Sequence, residues 1–257
     1  MTKRHLLVCA IFLMAVSVVT AELSGYWTFD EGSGMSVADS SGKGRTGVLD
    51  SANKANYPQW ISGHNGAGNA LCFNSNTFSS ANSNCVVMDP NAMAIDPNQP
   101  GLSNLGEAFT ISLWVRRDAV DYFNNLYPNL VHTTAYNVQL ALDPAVASSS
   151  PDAYDYLGWT GTSGNRIAIG TETVDQKTLG TWYHLAVTCD GAFIKKYVNG
   201  AEIFAGSVPG IEMPLASANF VIGSNLDHTS YFTGALDEVA VWAGSYLPAA
   251  EVAKLAN

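Results

Sequence analysis

The segment Ala108-Phe109-Thr110-Ile111-Ser112-Leu113-Trp114-Val115-Arg116 decides the fold. Phe109, Ile111, Leu113 and Val115 fall at every second position. That is the period of a half-buried strand, not the 3.6 of a helix. C-terminal to it, Trp182 to Thr188 reads as another strand closed by Asp190-Gly191, and Phe193 to Val198 follows. Asn199-Gly200 then supplies a two-residue hairpin turn of type I′, which needs positive φ at both centres, and Ala201 to Phe204 continues the meander. Toward the N-terminus, Gly25-Tyr26-Trp27-Thr28-Phe29-Asp30 alternates and ends in Glu31-Gly32-Ser33-Gly34. Phe220 to Gly223 and Ala235 to Trp242 complete the strands. Only Pro248 to Leu255 reads as helix, with Pro in its first turn and Val252 and Leu255 three apart. Strands without alternating helices predict an all-β fold, an antiparallel β-sandwich with a short C-terminal helix. The Asn-, Ser-, Pro- and Tyr-rich stretch 118–165 reads as loops at one end of the sandwich.

Composition narrows the function. The 257 residues carry 12 Lys+Arg against 22 Asp+Glu, a net charge of −10, with 47 % hydrophobic and only 13 % charged residues. Such a chain is too apolar to be disordered. It is also too acidic for a nucleic-acid partner, since phosphates repel it and no basic patch overrides that charge. The basic start Thr2-Lys3-Arg4-His5, the apolar run Leu6 to Val19 and the small residues ending at Ala21 have the layout of a signal peptide. Residues 1–21 are therefore expected to be removed and 22–257 exported as one domain, secreted or extracytoplasmic, with no membrane span after cleavage.

Export places Cys72, Cys85 and Cys189 in an oxidising compartment. Ala70-Leu71-Cys72-Phe73 and Cys85-Val86-Val87-Met88 read as two strands joined by a polar hairpin loop. If Leu71, Phe73, Val86 and Met88 face the core, both sulfurs face outward on neighbouring strands. A Cys72–Cys85 disulfide is the expectation, with Cys189 left over at a turn.

Five segments, in order, resemble the laminin-G-like jelly-roll family of the wider concanavalin A-like lectin and glucanase group. They are Tyr26 to Gly34 with Asp39-Ser40-Ser41-Gly42; Phe109 to Val115; Trp182 to Thr188; Tyr197-Val198-Asn199-Gly200; and Phe232 to Val239, with the helix after them. The resemblance implies a laminin-G-like jelly roll over 22–257, two sheets face to face and the chain ends close together. It also implies a structural calcium (Ca2+) with Asp30 and Asp237 as ligands, because the family often holds the ion between its first and last strands. The alternative for both residues is the capping of strand ends through backbone N–H groups.

Signs of catalysis are sparse. Gly42-Lys43-Gly44-Arg45-Thr46-Gly47 spells a G-x-G-x-x-G, but it lacks the preceding strand and following helix that hold a phosphate, so it reads as a loop. No H-E-x-x-H, no G-x-S-x-G and none of the paired-carboxylate spacings of related glucanases occurs. What remains is aromatic: Tyr122, Phe123, Tyr127 and Tyr136 in one polar stretch, Tyr154, Tyr156 and Trp159 in another. Such rings either stack on sugar faces or pin long loops to the sandwich. The expected function is a secreted, non-catalytic recognition module for a polysaccharide or a glycoprotein glycan. The alternatives are adhesion to an extracellular protein, or a polysaccharide hydrolase with an unfamiliar acid pair.

Overall fold

A computed structural model gives the architecture, and it describes residues 21–73, 80–88, 102, 105–119, 128–133, 139–142, 154–159, 165–171, 173–207 and 220–257. In chain order the strands are β1 (Leu23–Trp27), β2 (Ser36–Val37), β3 (Gly47–Ser51), β4 (Gln59–Ser62), β5 (Asn69–Phe73), β6 (Asn84–Met88), β7 (Ala108–Arg117) and β8 (Asn129–Thr133). They continue with β9 (Gln139–Ala141), β10 (Tyr154–Trp159), β11 (Asn165–Thr171), β12 (Trp182–Asp190), β13 (Phe193–Val198), β14 (Ala201–Ser207), β15 (Phe220–Ile222) and β16 (Gly234–Ala243). The helices are α1 (Val174–Lys177) and α2 (Ala249–Leu255).

The strands form two antiparallel sheets. One runs β14-β13-β12-β7-β16-β5-β4, with β1 added against β16; the other runs β11-β10-β9-β8-β15-β6-β3-β2. The alternation in β7 sets the layer order. Phe109, Ile111, Leu113 and Val115 are fully buried in the core, alongside Tyr183, Leu185 and Val187 of β12 and Leu236, Val239 and Val241 of β16. Trp27 of β1 stacks on Phe220 of the opposite sheet, with centroids 5.5 Å apart, and its Nε1 donates to Arg45 O. That pair closes the sandwich near the N-terminal strand, and such a contact adds about 0.5–1.5 kcal/mol beyond its buried area. The Asn199-Gly200 turn has φ of 49° and 76°, the two positive values that type I′ requires. Helix α2 starts after Pro248 and covers the outer face of the first sheet, where Val252 packs with Ala186 and Tyr197.

The G-x-G-x-x-G segment is a loop running into β3, held by one carboxylate. Asp39 Oδ1 accepts from the N–H of Tyr26 and Ser41, and Oδ2 from Arg45 N–H. Burial works to raise the Asp39 carboxyl, but these bonds win and hold it below its ordinary value.

Three expectations need correction. The Cys72–Cys85 disulfide does not form, because no hairpin joins their strands. β5 pairs with β16 and β4 in one sheet, and β6 pairs with β3 and β15 in the other. Leu71 and Phe73, like Val86 and Met88, do face the core, so each sulfur points away from it on its own sheet. The two thiols therefore lie on opposite outer faces, and Cys72, Cys85 and Cys189 are all free and buried. Burial, then the Asp118 carboxylate, pushes the Cys72 thiol up to about 11. Cys189 lies inside β12, in the core, not at a turn. Finally, stretch 118–165 contains β8, β9 and β10. All five residues of β8 are buried, so no polar alternation marks it, and β9 has only three residues. Its polar side chains are consumed internally: Gln139 Nε2 donates to Asn129 Oδ1 (2.7 Å), and Asn129 Nδ2 donates to Ser230 O (3.2 Å).

Candidate functional site

Strands β12, β7, β16 and β1 lie side by side, and the same period two that feeds the core puts Ser112, Trp114, His184, Ala240, Trp242 and Tyr26 on the outer face. There they line a cleft of about 440 Å³, bounded by His64 and Asn65 on one side and by Leu255 and Asn257 at the end of α2 on the other. Its size falls within the range of small-ligand sites.

One irregularity shapes the cleft. β16 pairs with β5 through Gly234–Leu236 and with β1 through Val239–Trp242, and its register shifts in between. At the shift Glu238 takes φ +52°. In a regular strand Asp237 and Glu238 would face opposite ways. The bulge absorbs one residue, so Leu236 and Val239 both reach the core while Glu238 lines the cleft. A non-glycine residue at positive φ is costly and collects at functional sites.

The hairpin loop between β4 and β5 supplies the wall. Gly63 N–H donates to Gly68 O (3.3 Å) and Gly66 N–H to Gly63 O (3.0 Å). The loop has no room for side chains at its ends: a Cβ on Gly63 would lie 2.4 Å from Ala67 O, and one on Gly68, where φ is +63°, would lie 2.1 Å from Asp30 Oδ1. Asp237, only 3 % exposed, accepts at Oδ2 from the His64 backbone N–H (2.9 Å) and faces His64 Nδ1 (2.8 Å). An ionised Asp237 fixes the imidazole hydrogen on Nδ1. The ring then stacks on Trp114, centroids 4.2 Å apart and 14° from parallel, with Trp182 edge-on at 6.4 Å. Arg116 lies 5.3 Å over Trp182, and both its bonded nitrogens donate to the Asp118 carboxylate (2.7 and 2.8 Å).

The site is acidic, and burial and hydrogen bonding act on its carboxyls in opposite directions. Burial raises the carboxyls of both Asp237 and Glu238. The His64 bonds oppose this for Asp237, and a hydrogen bond from Tyr26 Oη opposes it for Glu238. Beside them, burial and then Glu238 push the Tyr26 phenol upward. At the floor, His184 is 1 % exposed, its Nε2 is 2.8 Å from Ser112 Oγ, and its Nδ1 is buried without a partner. Burial, then His64, lowers its pKa to about 4.

The expected calcium ligands sit at opposite ends of the β4–β5 loop. Asp30 Oδ1 accepts from Asn69 N–H (2.9 Å), and Asn69 Nδ2 donates to Asp30 O (3.2 Å). Asp237 holds the other end, and its Oδ1 is buried with no partner. Among the described residues no group of three His, Cys, Asp or Glu is disposed to hold a metal. Asp30 and Asp237 are nevertheless hard oxygen donors of the kind Ca2+ uses, and the orphaned Asp237 Oδ1 is an oxygen that a cation would satisfy. Of the expected sugar-contact residues, Tyr122, Phe123, Tyr127 and Tyr136 lie outside the described residues. The backbone of Tyr154, Tyr156 and Trp159 forms β10, a strand paired on both sides, not a loop. The cleft residues His64, Trp114, His184, Glu238 and Trp242 were missed as a site. Their signal was a Trp and a His on the polar face of alternating strands.

Comparison with known proteins fits this architecture. Residues 91–253 match the laminin G-type model of the concanavalin A-like lectin/glucanases superfamily. A stretch of 68 residues is 40 % identical to pappalysin-1 of Mus musculus, covering 24 % of this chain and 4 % of that protein. Domain 4 of AbnA, a GH43 extracellular arabinanase from Geobacillus stearothermophilus solved with arabinotriose, superposes with a TM-score of 0.61 at 20 % identity over 92 % of this chain and 99 % of that one. The binding domain of Paraclostridial Mosquitocidal Protein 1 superposes with a TM-score of 0.61 at 18 % identity, over 92 % of this chain and 52 % of that one. The binding domain of botulinum neurotoxin DC, in complex with SialylT, gives 0.59 at 12 % identity over 92 % and 51 %. This chain thus spans about half the length of the two toxin chains. By its matched residues and its two packed antiparallel sheets, the chain belongs to the concanavalin A-like lectin/glucanases superfamily.

Proposed function

We propose that the protein is a secreted, non-catalytic carbohydrate-recognition module that holds a structural calcium at the β4–β5 loop. The observation that carries the reading is the outer-face cleft, in which Tyr26, Trp114 and Trp242 share a wall with one carboxylate. Aromatic surface beside a few polar groups suits a sugar, whose ring faces are apolar and whose hydroxyls are not. A domain of the same fold solved with arabinotriose supports this. Hydrolysis of a glycosidic bond needs two carboxyl groups on either side of it. Glu238 is the one side-chain carboxylate among the residues lining the cleft, which favours binding over cleavage. In this reading Asp30, Asp237 and carbonyls of loop 63–68 hold the ion, which supplies positive charge between like-charged carboxylates and ties the first turn to the last strand.

A glycan array probed with the secreted chain, with and without chelator, tests the reading. The expected result is saturable binding to a defined glycan set, and a chelator-dependent drop in melting temperature that Asp237→Asn abolishes. An array empty in calcium-containing buffer overturns the recognition reading. A melting temperature indifferent to calcium and chelator overturns the metal site.

A further inference from the structure

We infer that the cleft selects amino sugars bearing a free, protonated amine over neutral sugars, and rejects sugars bearing carboxylates. The inference rests on the cleft being a sugar site and adds the charge of the sugar it takes.

The lining contains no Lys and no Arg, and its one carboxylate side chain is Glu238. The bulge, with φ of +52° at this residue, is what turns it to the outer face and into the cleft. Tyr26 Oη donates to Glu238 Oε2, which fixes the carboxylate against β1. Oε1 makes no hydrogen bond among the described residues, so one oxygen stays free for a donor that is not part of the chain. Arg116, the cation beyond Trp182, is already held by both oxygens of Asp118 and offers nothing to an anionic sugar. The charges of Asp30 and Asp237 also act on Glu238.

The walls suit the same ligand. Tyr26, Trp114 and Trp242 line the cleft, with one face of Trp114 covered by His64, and aromatic side chains attract an ammonium as well as the C–H faces of a sugar ring. A carboxylate rimmed by aromatic side chains with no lysine or arginine is the arrangement expected for a cationic amine on a flat apolar ring. A uronic or sialic acid would bring its carboxylate to Glu238 with no counter-charge to offset the repulsion.

Isothermal titration with three matched trisaccharides tests this in mildly acidic buffer with calcium present: fully deacetylated chitotriose, its N-acetylated form and a trigalacturonate. The amine form is expected to bind about tenfold more tightly than the acetylated one, the order of one charge-assisted hydrogen bond, with no measurable binding of the uronate. Glu238→Gln is expected to erase the difference, leaving the acetylated form within about twofold of its original affinity. Where Glu238→Gln fails to fold, salt titration of the unmodified protein reads the same property: added salt weakens the amine form and leaves the acetylated form unchanged. Equal affinities, uronate binding, or failure of the deacetylated trisaccharide to bind while array glycans do bind, each overturn the inference and leave the recognition reading intact. A protein that binds no glycan at all overturns both.

Discussion

The buried imidazole of His184 ties stability to pH in a way that can be computed and then removed. Its pKa is lowered to about 4, first by burial and then by the nearby His64. In the unfolded chain it returns to about 6.5. Between those values the unfolded chain holds more protons than the folded one, so acid favours unfolding. Stability is lost as pH falls through about 6.5, and this group contributes no further loss below about 4. Going from about pH 7 to about pH 4.5, the linkage amounts to about 2 kcal/mol, a large share of an ordinary domain's stability. The perturbation is His184→Gln, whose amide can still reach Ser112 Oγ, the partner of His184 Nε2 at 2.8 Å, but does not titrate. The assay is urea unfolding of both proteins at the two pH values. The wild type should lose about 2 kcal/mol more than the variant on acidification. Asp237 and Glu238, whose carboxyls burial raises, act in the opposite sense, and their contribution cancels between the two proteins. Equal losses within about 0.5 kcal/mol would mean that His184 is not neutral and buried as described, and the packing of the cleft floor would have to be redrawn.

Two further outcomes follow from named contacts. Gly68→Ala puts a Cβ at φ +63° and 2.1 Å from Asp30 Oδ1; it should cost at least about 1–2 kcal/mol in denaturant unfolding and weaken any calcium-dependent stabilisation, and a neutral effect would mean that the loop does not hold Asp30 as described. Cys72, Cys85 and Cys189 are free and buried, so they should resist a maleimide in the native protein and all react once it is unfolded; a disulfide-linked peptide joining 72 and 85 would contradict the placement of their strands on separate sheets.

How much of this was legible in the sequence depends on what neighbours each residue. β7, β12 and the β13–β14 hairpin are read from residue order alone, because each has one face in the core and one outside it. β8 is not, because its buried Asn129 and its neighbour's Gln139 satisfy each other and only look like loop residues before the fold joins them. The facing of Cys72 and Cys85 follows from period two, but the sheet each belongs to is set by β16 and β3, far away in the chain. Asp237 was legible as a residue of interest through family resemblance. His64, its direct partner, was not, since 173 positions separate them and nothing local marks the pair.

The cleft has its clearest cause in the bulge of β16. In a strand that kept Glu238 but had no bulge, Leu236 and Val239 would lie three positions apart on opposite faces, and only one of them could reach the core. With the bulge, the partner of β16 changes from β5 to β1 at the same point, and a gap opens between those two strands. The β4–β5 loop sits at that gap, with Asp237 bonded to His64 on one side and Asp30 bonded to Asn69 on the other. His64 is thereby carried over Trp114, which covers that indole from the loop side. The core alternation and the acidic locality are thus not independent features. Deleting Glu238 should restore regular alternation, with Leu236 and Val239 two positions apart and both in the core, Asp237 still opposite Trp114 and Ala240 opposite Ser112, and it should take from the cleft its side-chain carboxylate and the bond from Tyr26 Oη. Near-ultraviolet circular dichroism of the deletion variant should therefore keep the signal of the His64–Trp114 stack, which Asp237 holds through His64; loss of that signal in a folded variant would show that the bulge also positions the loop over Trp114.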